Sequence, residues 1–544
     1  MVQNAYSRFV LDNIPRLLSQ LDRDKYSSTF GCFDRNHWHY KIRDFSSIVL
    51  QQGTLSLALL YSYDFPGNIY YKKNKILEWS LGSIEYWVSQ QLSDGSFNEY
   101  WPNEHGYPPT VFSLFAVAES FSLLKEFVPT ELNERFIQSA MKSSRFIARQ
   151  KETGAQNQEI ASIAALQSVD NICDEGWLKD AITFKRNEIL SKQSIEGWFS
   201  EYGGADIGYL SVSLYFLVEY YRISKDNSVF ENINKIIEFM QYFIHPDGTV
   251  GGEYGSRNTE YFLPGGLEIV ADEIPLARSI SNKLLEHIDE PGILPRSVDD
   301  RYLSHYFLHS YLRALLHHRK YDVVPLLPFE IEGTQKYFND SKNAIICRSG
   351  YYAIFNLSKK VIKIYSGKRE VYNDCGYLAR IGNTSAVTNW LDPSVNITIT
   401  DTEYSTDGTF FMQPWQVTPG PFTHISLRCL SWFAGKKLIP LLKSQLIAKN
   451  SYAPIKFKRK VIFSDYIIFI EDIIRSEKNI ELVSTIDSFS KRYVPSSKYF
   501  QIKELCREGQ ENLPENIQAI RIIKQIDLPN DIIQFNYNIL SSVE

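Results

Sequence analysis

Three segments of the chain carry tyrosines and acids at one spacing. DGSFNEYWPNEHGYPPTVFSLFAVAES starts at Asp94, EGWFSEYGGADIGYLSVSLYFLVEYY at Glu196 and DGTVGGEYGSRNTEYFLPGGLEIVAD at Asp247. Each opens on an acid and a Gly, reaches a Glu-Tyr pair and carries a second Tyr seven residues after the first. The sets are Glu99-Tyr100 with Tyr107, Glu201-Tyr202 with Tyr209, and Glu253-Tyr254 with Tyr261. Only the third places Arg257 and Asn258 between its tyrosines. A guanidinium beside a phenol favours the phenolate, so Tyr254 or Tyr261 can exchange a proton. Arg257, Asn258 and Glu253 supply hydrogen-bonding groups for a sugar acid, the Arg by a bidentate grip on a carboxylate. Such a set suits proton abstraction next to a carboxylate. The repetition supports a second reading, in which tyrosines present in every copy are packing anchors.

Other segments add binding chemistry. DRNHWHYKIRDF offers Trp38 for stacking on a sugar ring, Arg35 or Lys41 for a carboxylate, and Asn36 and His37 as polar contacts. A hydrogen-bonded structural cluster explains the same residues equally well. His105 and Trp101 sit on the first repeat turn, Tyr202 on the second, and Asn157 in GAQNQEIAS. KREVYNDCGYLARIGNTSAVTNW, with Tyr372, reads as a polar rim. His305, His309, His317 and His318 fall at helical spacing and read as partly exposed. The six Cys, at 32, 173, 347, 375, 429 and 506, show no CxxC spacing, so thiol chemistry and a zinc site are not expected.

These residues need a scaffold. Up to about residue 325 apolar residues recur with the helical period, interrupted by Gly-rich turns. One helical hairpin per repeat closes into an α/α toroid, incomplete if few hairpins contribute, with its turns gathered at one end. Pro325 and Pro328 break the pattern. Beyond them AIICRSGYYAIFNL, KKVIKIYSG, SVNITITDTEY, FKRKVIFSDYIIFIEDIIR and ELVSTIDSF alternate with period two and read as antiparallel strands of a β-sandwich, with no intervening helices. The expected organisation is an α+β multidomain chain, residues 1–328 toroid and 329–544 sandwich.

Composition limits the function classes. The 544 residues are 44% hydrophobic and 14% aromatic, which is ample for a packed core and excludes a disordered chain. The net charge of −5 provides no basic footprint for nucleic acid. MVQNAYSRFVLDNIPRLL lacks the pattern of a secretory signal, and no apolar run is long enough to span a bilayer, so a cytoplasmic protein without membrane insertion is expected.

A toroid followed by a large antiparallel sandwich resembles the heparinase II/III-like polysaccharide lyases, which include alginate and heparin lyases and related uronosyl epimerases. HPDGTVGGEYGSRNTEYFLPGG is similar to that family's Asp-Gly turn and Tyr-bearing stretch. His424 in PGPFTHISLR, the single His after residue 318, is similar to its cleft-facing sandwich histidine. The resemblance implies a Tyr of that stretch as general acid or base, with His424 either catalytic or structural. Where the family shows an Asn-His pair, the chain has Glu201-Tyr202-Gly203-Gly204-Ala205-Asp206, and Asn157-Gln158 stands as a partial substitute. The His-rich metal segment of several members is missing, so neither metal nor other cofactor is expected. The implied function is C5 proton abstraction on an acidic, uronate-containing polysaccharide or oligosaccharide, as lyase or epimerase, in building or trimming a surface polysaccharide. A glycoside hydrolase using paired carboxylates, and a noncatalytic carbohydrate-binding protein, remain the alternatives. The oligomeric state is open.

Overall fold

The computed structural model describes residues 4–288, 297–320, 323–413, 420–443, 451–484, 505 and 513–541. Cys506 and the end of ELVSTIDSF lie outside the described residues. The helices of the first part are α1 (Ala5–Gln20), α2 (Arg35–Trp38), α3 (Gly53–Ser62), α4 (Asn74–Ser89), α5 (Tyr107–Leu124), α6 (Thr130–Arg149), α7 (Gln156–Cys173) and α8 (Gly176–Leu190). They continue as α9 (Ile207–Ser224), α10 (Phe230–Met240), α11 (Gly265–Val270), α12 (Pro275–Leu285), α13 (Asp300–Tyr302) and α14 (Leu308–His317).

Two kinds of helix alternate. In α5, α7 and α9 buried residues run all round, because each is enclosed by neighbours. In α6 they form one stripe, Leu132, Phe136, Ala140, Ser143 and Ile147, as a helix with one wet face requires. The enclosed helices pack in the order α3, α5, α7, α9, α11, α14, and α14 returns to α3. Each repeat turn leads into the N-terminus of α5, α9 or α11, so the turns collect at one end.

The Gly that opens each turn has a steric reason. Gly95 and Gly197 have φ of 91° and 106°, a region that disfavours any side chain. A Cβ there would meet the carbonyl oxygens of Lys142 and Lys235 at 2.4 and 2.1 Å. The acid-Gly openings thus fix the repeat against its outer helix.

The second part is two antiparallel sheets. The first runs in order through β1 (Gln335–Phe338), β2 (Asn343–Arg348), β3 (Tyr351–Asn356), β4 (Val361–Ser366) and β5 (Arg369–Asp374). The second contains β6 (Tyr377–Ile381), β7 (Thr384–Val387), β8 (Asn396–Ile399), β9 (Glu403–Met412), β10 (Tyr452–Phe463), β11 (Ile467–Ser484), β12 (Ile517–Asp527) and β13 (Ile532–Ile539). Its order is β10-β9-β7-β6-β11-β12-β13, with β8 on β9 and β10 also paired to β11.

The first sheet is a middle layer, which is why β2, β3 and β4 are apolar on both faces. Ile345, Cys347, Tyr352, Ile354 and Tyr365 join the helical core. Their neighbours Ala344, Ile346, Ala353, Phe355 and Ile364 pack with Tyr404, Val461, Phe463, Ile468 and Ile470 of the second sheet. Polar contacts also tie this sheet to the helices: Tyr352 donates to the carbonyl of Tyr242 at 2.5 Å, and Asn356 to that of Tyr254 at 3.0 Å.

One expectation is overturned. A helix, α15 (Pro421–Lys443), intervenes between β9 and β10. Its sequence, PFTHISLRCLSWFAGKKLIPLLK, holds Gly435 and Pro440 and kinks at Ala434, so no clean period announces it. Among the described residues no helix is long and apolar enough to cross a membrane.

Candidate active site

The second and third repeat turns interlock. Asp206 caps α9 by accepting from the backbone N–H of Tyr209 at 3.1 Å. It also accepts from the backbone N–H of Arg257 at 2.9 Å and from the Thr259 hydroxyl. The third turn is thereby pinned across the second. As a result the Arg257 guanidinium lies 4.3 Å over the ring of Tyr202, on the neighbouring repeat. Tyr202 takes a left-handed conformation and donates its N–H to Gly154 at 2.7 Å, which seats the ring beside the start of α7. There Asn157 donates both its backbone N–H and its side-chain amide to Glu201 Oε1, at 2.8 and 2.7 Å. Asn157, Glu201, Tyr202 and Arg257 therefore form one group. Burial pushes the Glu201 carboxyl up to about 8, although the Asn157 hydrogen bonds oppose this.

Tyr209, on the first turn of α9, is half-buried and meets Tyr261 edge-on at 5.8 Å. The repetition made it read as a packing residue in the sequence. Its counterparts in the other two copies have different surroundings. Tyr107 is bonded by the buried Lys185, and Tyr261 is 1% exposed.

Tyr254 and Tyr261, expected as acid or base, are both enclosed. The Tyr254 hydroxyl pairs with His245 Nε2 at 2.8 Å, and His245 Nδ1 pairs with Tyr365 of β4 at 2.9 Å. The Tyr261 hydroxyl pairs with that of Tyr306 at 3.2 Å. Burial pushes both phenols well above their ordinary range. The expected help from Arg257 goes instead to Tyr202. Glu253 and Asn258 are also committed to the interface with the sheets: Asn389 donates to Glu253 at 2.5 Å, and Lys359 Nζ to Asn258 at 2.5 Å. His245, which opens the quoted turn, was missed as the partner of Tyr254. Its place two residues before Asp247 was the available signal.

The first repeat turn gathers a second group. Arg301 pairs with Glu99 and lies 5.0 Å over the exposed Tyr100 ring. Arg43 donates to the Glu99 carbonyl at 2.8 Å, which brings in the 34–44 segment. There Asp34 caps α2 and accepts from Ser47 N at 2.8 Å, and His37 Nδ1 pairs with the Arg43 carbonyl at 3.1 Å. Trp38 donates its indole N–H to Gln20 at 2.7 Å. Arg35 lies over Tyr40, and Asn36 is exposed. His105 is held by Ser96 and Asp94 at 3.0 and 2.9 Å. His424 is exposed on α15 rather than on a strand, with its ring 6.3 Å from Trp101. Arg428, one turn on, makes two bonds to Asp44 at 3.0 and 2.9 Å. Thus α15 reaches from the sheets to the turn end of the helices.

Two further readings are corrected. Tyr372 is not on a rim facing the helices: it is buried between the sheets and donates to Asp374 at 3.2 Å. His305 and His309 are buried, not partly exposed, and burial holds both well below the usual range, His309 at about 3.

Residues 69–266 match the family model described as Ulvan lyase N-terminal domain. Among solved structures, the Streptomyces coelicolor A3 chondroitin AC lyase in complex with chondroitin sulphate aligns at 10% identity. It covers 88% of this chain and 68% of its own, with a TM-score of 0.58. Heparinase III aligns at 11% identity over 99% of this chain and 92% of its own, with a TM-score of 0.52. Among curated proteins none matches the sequence. The helical first part and antiparallel sheets are shared with these structures. Together the family match and the fold bear out the resemblance to heparinase-like polysaccharide lyases and the reading of the chain as an enzyme.

Proposed function

We propose that the chain cleaves a uronate-containing polysaccharide by β-elimination, in a cleft at the turn end of an α/α toroid that a β-sandwich adjoins. The observation that carries this is the Arg257 guanidinium over Tyr202, beside Asn157 and Glu201. All four residues, and Tyr209, fall within the segment that matches the ulvan lyase model. Ulvan is the first substrate to try. A role in building or trimming a surface polysaccharide fits the same chemistry.

Elimination needs the uronate carboxylate neutralised, the C5 proton removed and the leaving glycosidic oxygen protonated. In this reading the Arg257 guanidinium and the Asn157 amide, 4% and 2% exposed, neutralise the carboxylate. Tyr209, as the phenolate, takes the C5 proton, and the phenol so formed gives it to the leaving oxygen. It stands at the positive end of α9, where developing negative charge is favoured.

Hydrolysis would need two available carboxyl groups. Of the turn carboxylates, Glu99 pairs with Arg301, Glu104 accepts from three backbone N–H groups and Asp206 accepts from the 257–259 backbone, while Glu201 accepts from Asn157 through one oxygen and Glu260 is partly exposed 3.8 Å from Lys363. Ulvan, chondroitin sulphate, heparin and alginate form the test panel. Ultraviolet absorbance of a 4,5-unsaturated uronate, lost in Tyr209→Phe, is expected. Reducing ends without that absorbance would mean hydrolysis, and solvent deuterium at C5 without cleavage would mean epimerisation.

A further inference from the structure

The 34–44 segment lies outside the residues that match the family model, and it is built as a rigid turn with an exposed outer edge. Asp34, 2% exposed, holds it from inside. It accepts from the backbone N–H groups of Asn36 and Ser47 and meets Arg43 Nη1 at 3.5 Å. The chain folds back where Ile42 and Arg43 both donate to the Asn36 carbonyl, at 3.0 and 3.3 Å. Lys41 takes a left-handed conformation, with φ of 54°, to make that return. Surface turns fixed in this way are where binding groups sit.

The outer edge carries an exposed aromatic ring and two uncompensated cations. Trp38, expected as the stacking ring, is half-buried and bonded to the Gln20 carbonyl. Tyr40 is the ring outside, 57% exposed. The Arg35 guanidinium lies 5.3 Å over it, and the Tyr40 N–H donates to the Arg35 carbonyl at 2.8 Å. Both acids of the segment are engaged, Asp34 inside and Asp44 by Arg428. Arg43 is engaged as well, by Asp34 and the Glu99 carbonyl. Among the described residues Arg35 and Lys41 have no carboxylate partner, and the Arg35 guanidinium makes no hydrogen bond. Two unpaired cations flanking an exposed ring fit a sugar that carries a negative charge.

We propose that Arg35, Tyr40 and Lys41 form a surface subsite for an acidic sugar unit of the polymer. The sugar ring lies against Tyr40, and its anionic substituent, a carboxylate or a sulfate ester, bridges Arg35 and Lys41. The proposal rests on the function given above for the polymer it names. Arg43 ties the turn to Glu99 on the first repeat turn, and Arg428 ties it to α15. The subsite therefore lies at the turn end of the helices.

The probes are purified ulvan oligosaccharides before and after chemical desulfation, with maltodextrin as the neutral control. The readout is Kd by calorimetry at low and high salt. Wild type should bind the acidic probe, more weakly as salt rises, and should not bind maltodextrin. Arg35→Ala and Lys41→Asn should each weaken binding by roughly tenfold, since each removes a charge-assisted hydrogen bond. Asn tolerates the left-handed backbone at that position. Tyr40→Ala should weaken binding by roughly three- to tenfold, and Tyr40→Phe, which keeps the ring, should bind as wild type does. Affinity lost on desulfation supports the subsite with a sulfate ester as its anion, and affinity retained supports it with the carboxylate. Equal Kd in wild type, Arg35→Ala and Lys41→Asn overturns the proposal, as does absence of binding or equal binding of maltodextrin. If binding follows the expected pattern but no polymer is cleaved, the subsite stands and the lyase reading fails. Cleavage with unchanged Kd in the variants removes the subsite and leaves the lyase reading.

Discussion

Two of the buried clusters of charged residues among the described residues are balanced differently. Between the sheets, Asp374 and Asp472 face Arg459 and Lys524, with Arg459 bonding both acids at 2.6 to 2.8 Å and Lys524 reaching Asp374 at 3.3 Å. Tyr377 and Tyr372 complete the shells of the two acids at 2.7 and 3.2 Å. Charges cancel, and despite burial Arg459 and Lys524 hold Asp374 down at about 2. At the repeat turns, Asp206 accepts from the backbone N–H of Arg257 rather than its guanidinium, and burial pushes Glu201 up to about 8. A balanced network specifies how two sheets pack. At the turns the burial of Glu201 is not offset in that way.

The contrast can be broken by substitution. Tyr209→Phe should lower kcat on ulvan by ~10²–10⁴-fold while the thermal midpoint hardly moves, because only a proton-transfer group is lost. Arg459→Met should do the reverse. It strands two buried carboxylates and should cost about 3–5 kcal/mol in urea unfolding, with kcat/KM of the folded fraction retained. Arg257→Lys should reduce kcat/KM by ~10²-fold, about 2.7 kcal/mol, since Lys cannot grip a carboxylate bidentately.

Acid should separate the two regions as well. His309 stays neutral in the fold to about 3, so the unfolded chain binds its proton first. Stability should therefore fall as pH drops below the ordinary His value, by up to about 1.4 kcal/mol per pH unit, and His309→Gln should flatten that slope. Asp374 is shifted in the same direction but in a more acid window: its contribution is complete above the ordinary Asp value of 3.8 and is lost as pH falls through about 2. The smallest effect should come from Tyr254→Phe, which removes the bond to His245 and should cost about 1 kcal/mol in stability without changing turnover.

Periodicity made the helices, the strands and the Tyr-bearing turns legible in the sequence, because each is a local pattern. The pairing between turns was not local. Asp206 carries Arg257 across to the neighbouring repeat, so the Arg stacks on Tyr202 and leaves Tyr254 and Tyr261 as buried scaffold. Spacing within one segment cannot show that crossing, and for that reason it points to Tyr254 and Tyr261. Tyr372 was misplaced because β5 alternates between faces, and alternation does not say which face meets the helices. The helix α15 escaped notice because Gly435, Pro440 and apolar residues all round blur its period. Asn157 and Tyr202 were visible as polar residues on turns, while their link through Glu201 required the fold.

The central claim is that the phenol doing chemistry is Tyr209, with Tyr254 part of the scaffold. The most direct test is to incubate wild type, Tyr209→Phe and Tyr254→Phe with ulvan and follow unsaturated uronate by ultraviolet absorbance. Wild type and Tyr254→Phe should release product at similar rates, and Tyr209→Phe should release almost none. Product from Tyr209→Phe at the wild-type rate, or its loss in Tyr254→Phe alone, would contradict the assignment.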